Sequence, residues 1–107
     1  MTIYDKAAWQ IDHGVSPKLA VEHFELVFRW LEKKGMLSAE GKEILDIGID
    51  DSASLNERYL EEEGIQFLDQ YYDVLITKSK YDVAVEEKLL EECYSQFHSA
   101  SAHDSFG

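Results

Sequence analysis

The residues able to do chemistry in this chain are chiefly carboxylates. Asp50 and Asp51 are adjacent, Asp69 and Asp73 stand four apart, and Glu61, Glu62 and Glu63 form an unbroken acidic run. Paired carboxylates can divide the roles of general acid and general base, or hold a hard cation through oxygen. Asp46, Asp50 and Asp51 nevertheless lack the spaced ligands of a twelve-residue calcium loop. The four histidines, His13, His23, His98 and His103, include no pair one helical turn apart with a glutamate between them, so no metal site is read. Cys93 has no basic residue one turn away to activate it, and the serines cluster at helix starts and near the C-terminus. No catalytic residue is assigned on these patterns. A small enzyme using paired carboxylates remains the lesser alternative.

The elements that must position these groups read as helices. "VSPKLAVEHFELVFRWLEKKG" is the clearest, with Ser16 as N-cap, Pro17 at the first helical position and Gly35 just past Lys33 and Lys34. Its polar residues occupy one narrow stripe, whereas Ala20, Phe24, Val27, Phe28 and Leu31 form an apolar face and Leu19, His23, Leu26 and Trp30 a second row. A helix apolar over so much of its circumference must be covered on two sides, either as the central helix of a bundle or by a second subunit. The latter possibility makes Phe24, Phe28, Trp30 and Leu31 a candidate homodimer face.

Around that helix, residues 3–13 read as a short helix closed by Gly14, and Ser38 as a cap for a helix from Ala39. The stretch 43–50 alternates like a strand but also presents a helical face; helix is preferred because no second strand stands out for it to pair with. Ser54, Leu55, Asn56 and Glu57 have capping-box spacing for a helix ending at Gly64. Ile65, Leu68, Tyr72, Leu75 and Ile76 mark the next, and Asp82 caps the last, which carries Val83, Leu90, Cys93, Tyr94 and Phe97. The expectation is an all-α, compact single-domain bundle of five to six short helices over residues 1–97, with 17–34 central and 98–107 a flexible tail.

Charge narrows the partners. The chain of 107 residues carries a formal −12, yet residues 1–34 are balanced, with five acids and five bases. Residues 40–73 hold eleven acids against Lys42 and Arg58, a net −9. Such a segment repels phosphate backbones and anionic membrane surfaces, so neither nucleic acid nor membrane is an expected partner. No signal peptide or membrane span is read, and a single cysteine agrees with a reducing compartment, so a cytoplasmic setting is expected.

"ILDIGID" superficially resembles the first motif of Rossmann-type methyltransferases, in which a strand ends in an acidic and glycine-rich turn that holds the cofactor. Here Gly48 is followed by Ile49, Asp50, Asp51 and Ser52, and the chain is too short for the remaining parallel strands. No cofactor is expected. Recognition remains. Small size, lopsided acidity and tyrosines beside carboxylates are similar in general character to the immunity proteins that neutralise nuclease colicins, a likeness of class carried by no motif. The expected function is inhibition of a basic protein, such as a nuclease, a toxin or a nucleic-acid-binding protein whose groove the carboxylates would occupy in place of phosphates. The expected partner-binding residues are Glu61, Glu62, Glu63, Asp69, Tyr71 and Asp73, with Tyr72 turned inward.

Overall fold

A computed structural model describes residues 2–104, with side chains described through Ser99. The order is β1 (Ile3–Lys6), α1 (Ala7–Asp12), α2 (Pro17–Lys33), α3 (Ala39–Ile47), β2 (Ser54–Asn56), a 3-10 turn (Glu57–Tyr59), α4 (Glu62–Ser79) and α5 (Val83–Asp104). Five helices and a two-stranded antiparallel ribbon make a small all-α bundle.

The local signals that punctuate α2 and α3 operate as their chemistry dictates. Ser16 Oγ accepts from Leu19 N at 3.2 Å and Ser38 Oγ from Gly41 N at 3.2 Å, satisfying donors that a helix start leaves orphaned. Asp82 does the same for α5, accepting from Ala84 N at 3.1 Å. Residues 43–50 are accordingly helix through Ile47, ended by Gly48 at φ 115°.

α2 is central, its first apolar row is covered by the chain itself, and the second is covered at His23 and Trp30 while Leu19 stays exposed. Phe28 meets Tyr59 at 5.9 Å between ring centroids, while Trp30 packs on Phe67 at 5.3 Å and on Tyr94 at 5.5 Å. Phe24, Phe28, Trp30 and Leu31 are buried in the core. Within the single chain, the four residues expected as a candidate dimer face lie in the bundle's own interior rather than on its surface.

Three further expectations change. Residues 3–13 are not one helix, because Ile3–Lys6 pair with Ser54–Asn56 before α1 begins. Ser54 opens no helix, since that pairing holds it in β2, and Gly64 lies inside α4 rather than ending a helix. A Cβ on Gly64 would stand 2.8 Å from the Met36 carbonyl oxygen, and one on Gly41 would strike the Tyr59 carbonyl, so both glycines permit close backbone approach. Finally, α5 runs through Asp104 instead of stopping at Phe97. Of the expected tail, residues 105–107 lie outside the described residues.

Candidate functional site

β1 and four helices converge on a buried polar network absent from the expected site. His23 and Glu86 are 0% exposed, Gln10 1%, Tyr72 4% and Asp5 5%. From α2, His23 directs Nδ1 at the Glu86 carboxylate of α5, 2.6 Å from Oε1 and 2.7 Å from Oε2. Its Nε2 lies 3.1 Å from the Tyr72 hydroxyl of α4, which in turn is 2.6 Å from Asp5 Oδ2. Gln10 Nε2 donates to the same Asp5 oxygen at 2.9 Å.

A bulge explains how β1 reaches this network. Register shifts between Ile3 and Asp5, so Tyr4 and Asp5, which a regular strand would send to opposite faces, both address α4. Tyr4 Oη donates to Asp69 Oδ1 at 2.6 Å, and Asp5 meets Tyr72. Lys80 and Tyr81, between α4 and α5, have φ of 51° and 63°, a left-handed conformation that costs non-glycine residues roughly 1 kcal/mol each. That turn sets the Tyr81 ring edge-on to His23 at 5.2 Å.

The network is acidic in composition. Three short contacts link Glu86, His23, Tyr72 and Asp5 in series, and each contact requires one hydrogen. The network therefore sets two carboxylates, Asp5 and Glu86, against a single imidazole. Among the described residues, no lysine or arginine pairs with Asp5 or Glu86.

Burial pushes the Tyr72 hydroxyl well above its ordinary value, and the negative charges of Asp5 and Glu86 add to the effect. Burial, then the same two carboxylates, push Tyr81 up to about 12. The neutral phenol is thus favoured by the fold. Stability should stay level below the ordinary tyrosine value of 10.0 and fall above it, as unfolded tyrosines ionise while Tyr72 stays protonated. One fully buried phenol contributes a slope of about 1.4 kcal/mol per pH unit. Denaturant midpoints between about pH 8 and 11.5 read this directly. Tyr72→Phe should remove one phenol's share of the decline, since Tyr4 and Tyr81 are raised as well and keep theirs, and a wild-type midpoint constant across the series would contradict the assignment.

The six expected partner-binding residues do not form one cluster. At 100° per residue Asp69 and Asp73 share a stripe of α4, whereas Tyr71 lies about 200° from Asp69. Tyr71 is half-buried, packs on Phe67 at 5.3 Å and Phe97 at 6.3 Å, and lines a groove toward α5 with Leu89 and Cys93. Glu61 is the exposed N-cap of α4, and Glu62 and Glu63 occupy its first turn, where carboxylates complement the helix dipole. Glu63 lies 3.5 Å from His98 Nε2. Only Asp69 and Asp73 adjoin the buried network, through Tyr4 and through a pocket described below.

Part of this network had a signal in the sequence. Glu86 stands four before Leu90 and seven before Cys93, a core position on α5, and His23 lies in the second buried row of α2. Asp5 had none. Among the described residues no group of three or more histidine, cysteine or acidic side chains is arranged to hold a metal ion, and no helix is long and apolar enough to cross a membrane. Cys93 is a buried free thiol whose pKa burial raises. No family model, curated protein or solved structure matches the chain.

Proposed function

We propose that this chain is a small acidic binding protein that neutralises or inhibits a basic partner protein, acting in the cytoplasm. The observation that carries the proposal is the placement of Asp69 and Asp73, exposed on one stripe of α4, beside a buried network of two carboxylates and one imidazole with which no lysine or arginine among the described residues pairs. A face of this kind accumulates negative potential, and a positively charged protein relieves it. Binding is preferred to catalysis because His23 and Glu86, the groups best suited to move protons, have no exposed surface from which to reach a substrate. Tyr71 is not part of the proposed face. Glu61, Glu62 and Glu63 steer from its edge.

The test begins with a partner captured on the immobilised protein at low salt and eluted at high salt. Association of the purified pair should slow at least tenfold between about 0.05 and 0.5 M salt, since screening shortens the reach of surface charge. Asp69→Asn combined with Asp73→Asn should slow association further at low salt while leaving the fold intact. Association rates that are flat across the salt series, in parent and variant alike, would remove the proposal.

A further inference from the structure

Beside the buried network, Tyr4, Asp5, Tyr72, Asp73, Thr77 and Tyr81 surround a cavity of about 420 Å³. Its wall combines two features that select a ligand. Asp5 and Tyr72 are buried members of a network that holds two carboxylates, Asp5 and Glu86, against one imidazole, so the pocket's inner wall is acidic in composition. Tyr4 and Tyr81 join Tyr72 in the lining beside Ile76 and Thr77, with the Tyr4 and Tyr72 rings edge to face at 6.2 Å. At the mouth, Asp73 is exposed.

An aromatic lining above a buried negative charge attracts an organic cation, because ring faces and carboxylate act on it in the same sense. A hard metal ion would need several oxygen ligands in place of rings. Between the organic cations, a planar guanidinium stacks on tyrosine and bridges carboxylate oxygens in a way a compact ammonium does not. Tyr81 feels the inner charge directly: Asp5 and Glu86 both contribute to the rise of its hydroxyl pKa.

We infer that the pocket between Asp5, Asp73 and the rings of Tyr4, Tyr72 and Tyr81 seats a guanidinium group, presented as an arginine side chain by the basic partner. The arginine's source rests on the function proposed above; the pocket's chemistry does not. It would make this pocket the point at which a partner attracted by general charge is recognised specifically.

The test uses the full chain and a small neutral-ended compound, N-acetyl-arginine amide, followed by the ring resonances of Tyr4, Tyr72 and Tyr81. Saturable shifts at those rings, with a midpoint in the millimolar range fitting so small a ligand, are expected. N-acetyl-lysine amide should bind several-fold more weakly. Tyr81→Leu and Asp73→Asn should each weaken binding roughly tenfold, whereas replacing Glu61, Glu62 and Glu63 together by glutamine should leave it unchanged. Three results would overturn the inference: no saturable shift, equal response to lysine, or equal loss in the triple glutamine variant. If the arginine compound fails while Asp69 and Asp73 still govern capture of a basic partner, the pocket falls and the binding role stands. If the compound binds the pocket but no salt-dependent partner exists, the binding role falls and the pocket stands.

Discussion

His23→Leu should lower folding stability by about 3–5 kcal/mol, the usual consequence of stripping a buried carboxylate of its partner. The substitution takes away every hydrogen-bond donor directed at Glu86, whose carboxylate is 0% exposed and lies within 2.7 Å of the imidazole. It also removes the Nε2 contact to Tyr72, although Tyr72 keeps its hydroxyl bond to Asp5. Leucine fills much of the imidazole volume, so lost packing is a minor part of the effect. The stranded carboxylate is the major part. Glu86→Leu in the same chain should then restore much of the loss, because two apolar side chains of similar volume can replace a buried ionic contact at little net cost. Denaturant midpoints for the two single variants and the double variant, compared at equal slope, measure this coupling. A His23→Leu loss below about 1 kcal/mol would mean that Glu86 finds water or another donor, and that the network is not closed.

How much of this was legible beforehand depends on whether the decisive partner is near in sequence. α2 could be read because Ser16, Pro17 and Gly35 act locally, each within one turn of the helix end it defines. β1 could not, because its partner Ser54–Asn56 lies about fifty residues away and nothing in residues 3–6 distinguishes half of a ribbon from the start of a helix. Ser54 illustrates competition: its spacing to Glu57 suits a capping box, but strand pairing takes the segment, and Asn56 instead caps the short 3-10 turn by accepting from Arg58 N at 2.9 Å. α5 extends past Phe97 because His98, Ser99, Ala100 and their successors include neither proline nor glycine before Gly107 to stop it.

The candidate site divides along the same line. Helical spacing alone places Asp69 and Asp73 together and Tyr71 on the far side of α4, so adjacency in the chain was a poor guide to a shared surface. Glu86 could be suspected from its place in the row with Leu90, Cys93 and Phe97. The convergence of Glu86 with His23, Tyr72 and Asp5 needed the tertiary fold, since those contacts span 49 to 67 residues. The irregular register at Tyr4, which turns Asp5 inward, has no sequence signature at all.

Phe24→Glu should abolish cooperative folding. Phe24 is fully buried in α2, with its ring edge against His23 at 5.3 Å, and the variant would place a second carboxylate beside a region that already holds Glu86 and Asp5. Burial of an unpaired charge, together with the lost ring packing, costs several kcal/mol even after part of it is relieved by protonation or local opening, comparable with the about 5–15 kcal/mol that holds a typical domain folded. The expected observation is loss of near-ultraviolet circular dichroism and of the thermal transition at neutral pH. Had α2 been a dimer face, the same change would instead give a folded, half-mass monomer, because a carboxylate on an interface becomes solvated once the subunits separate. Trp30→Glu provides an independent check, since Trp30 is buried between Phe67 and Tyr94 and donates its indole N–H to Glu91 at 2.8 Å. A glutamate there loses that bond and faces Glu91 with like charge, so it too should unfold the chain. A folded monomer from either variant would return α2 to the molecular surface and overturn its central place in the bundle.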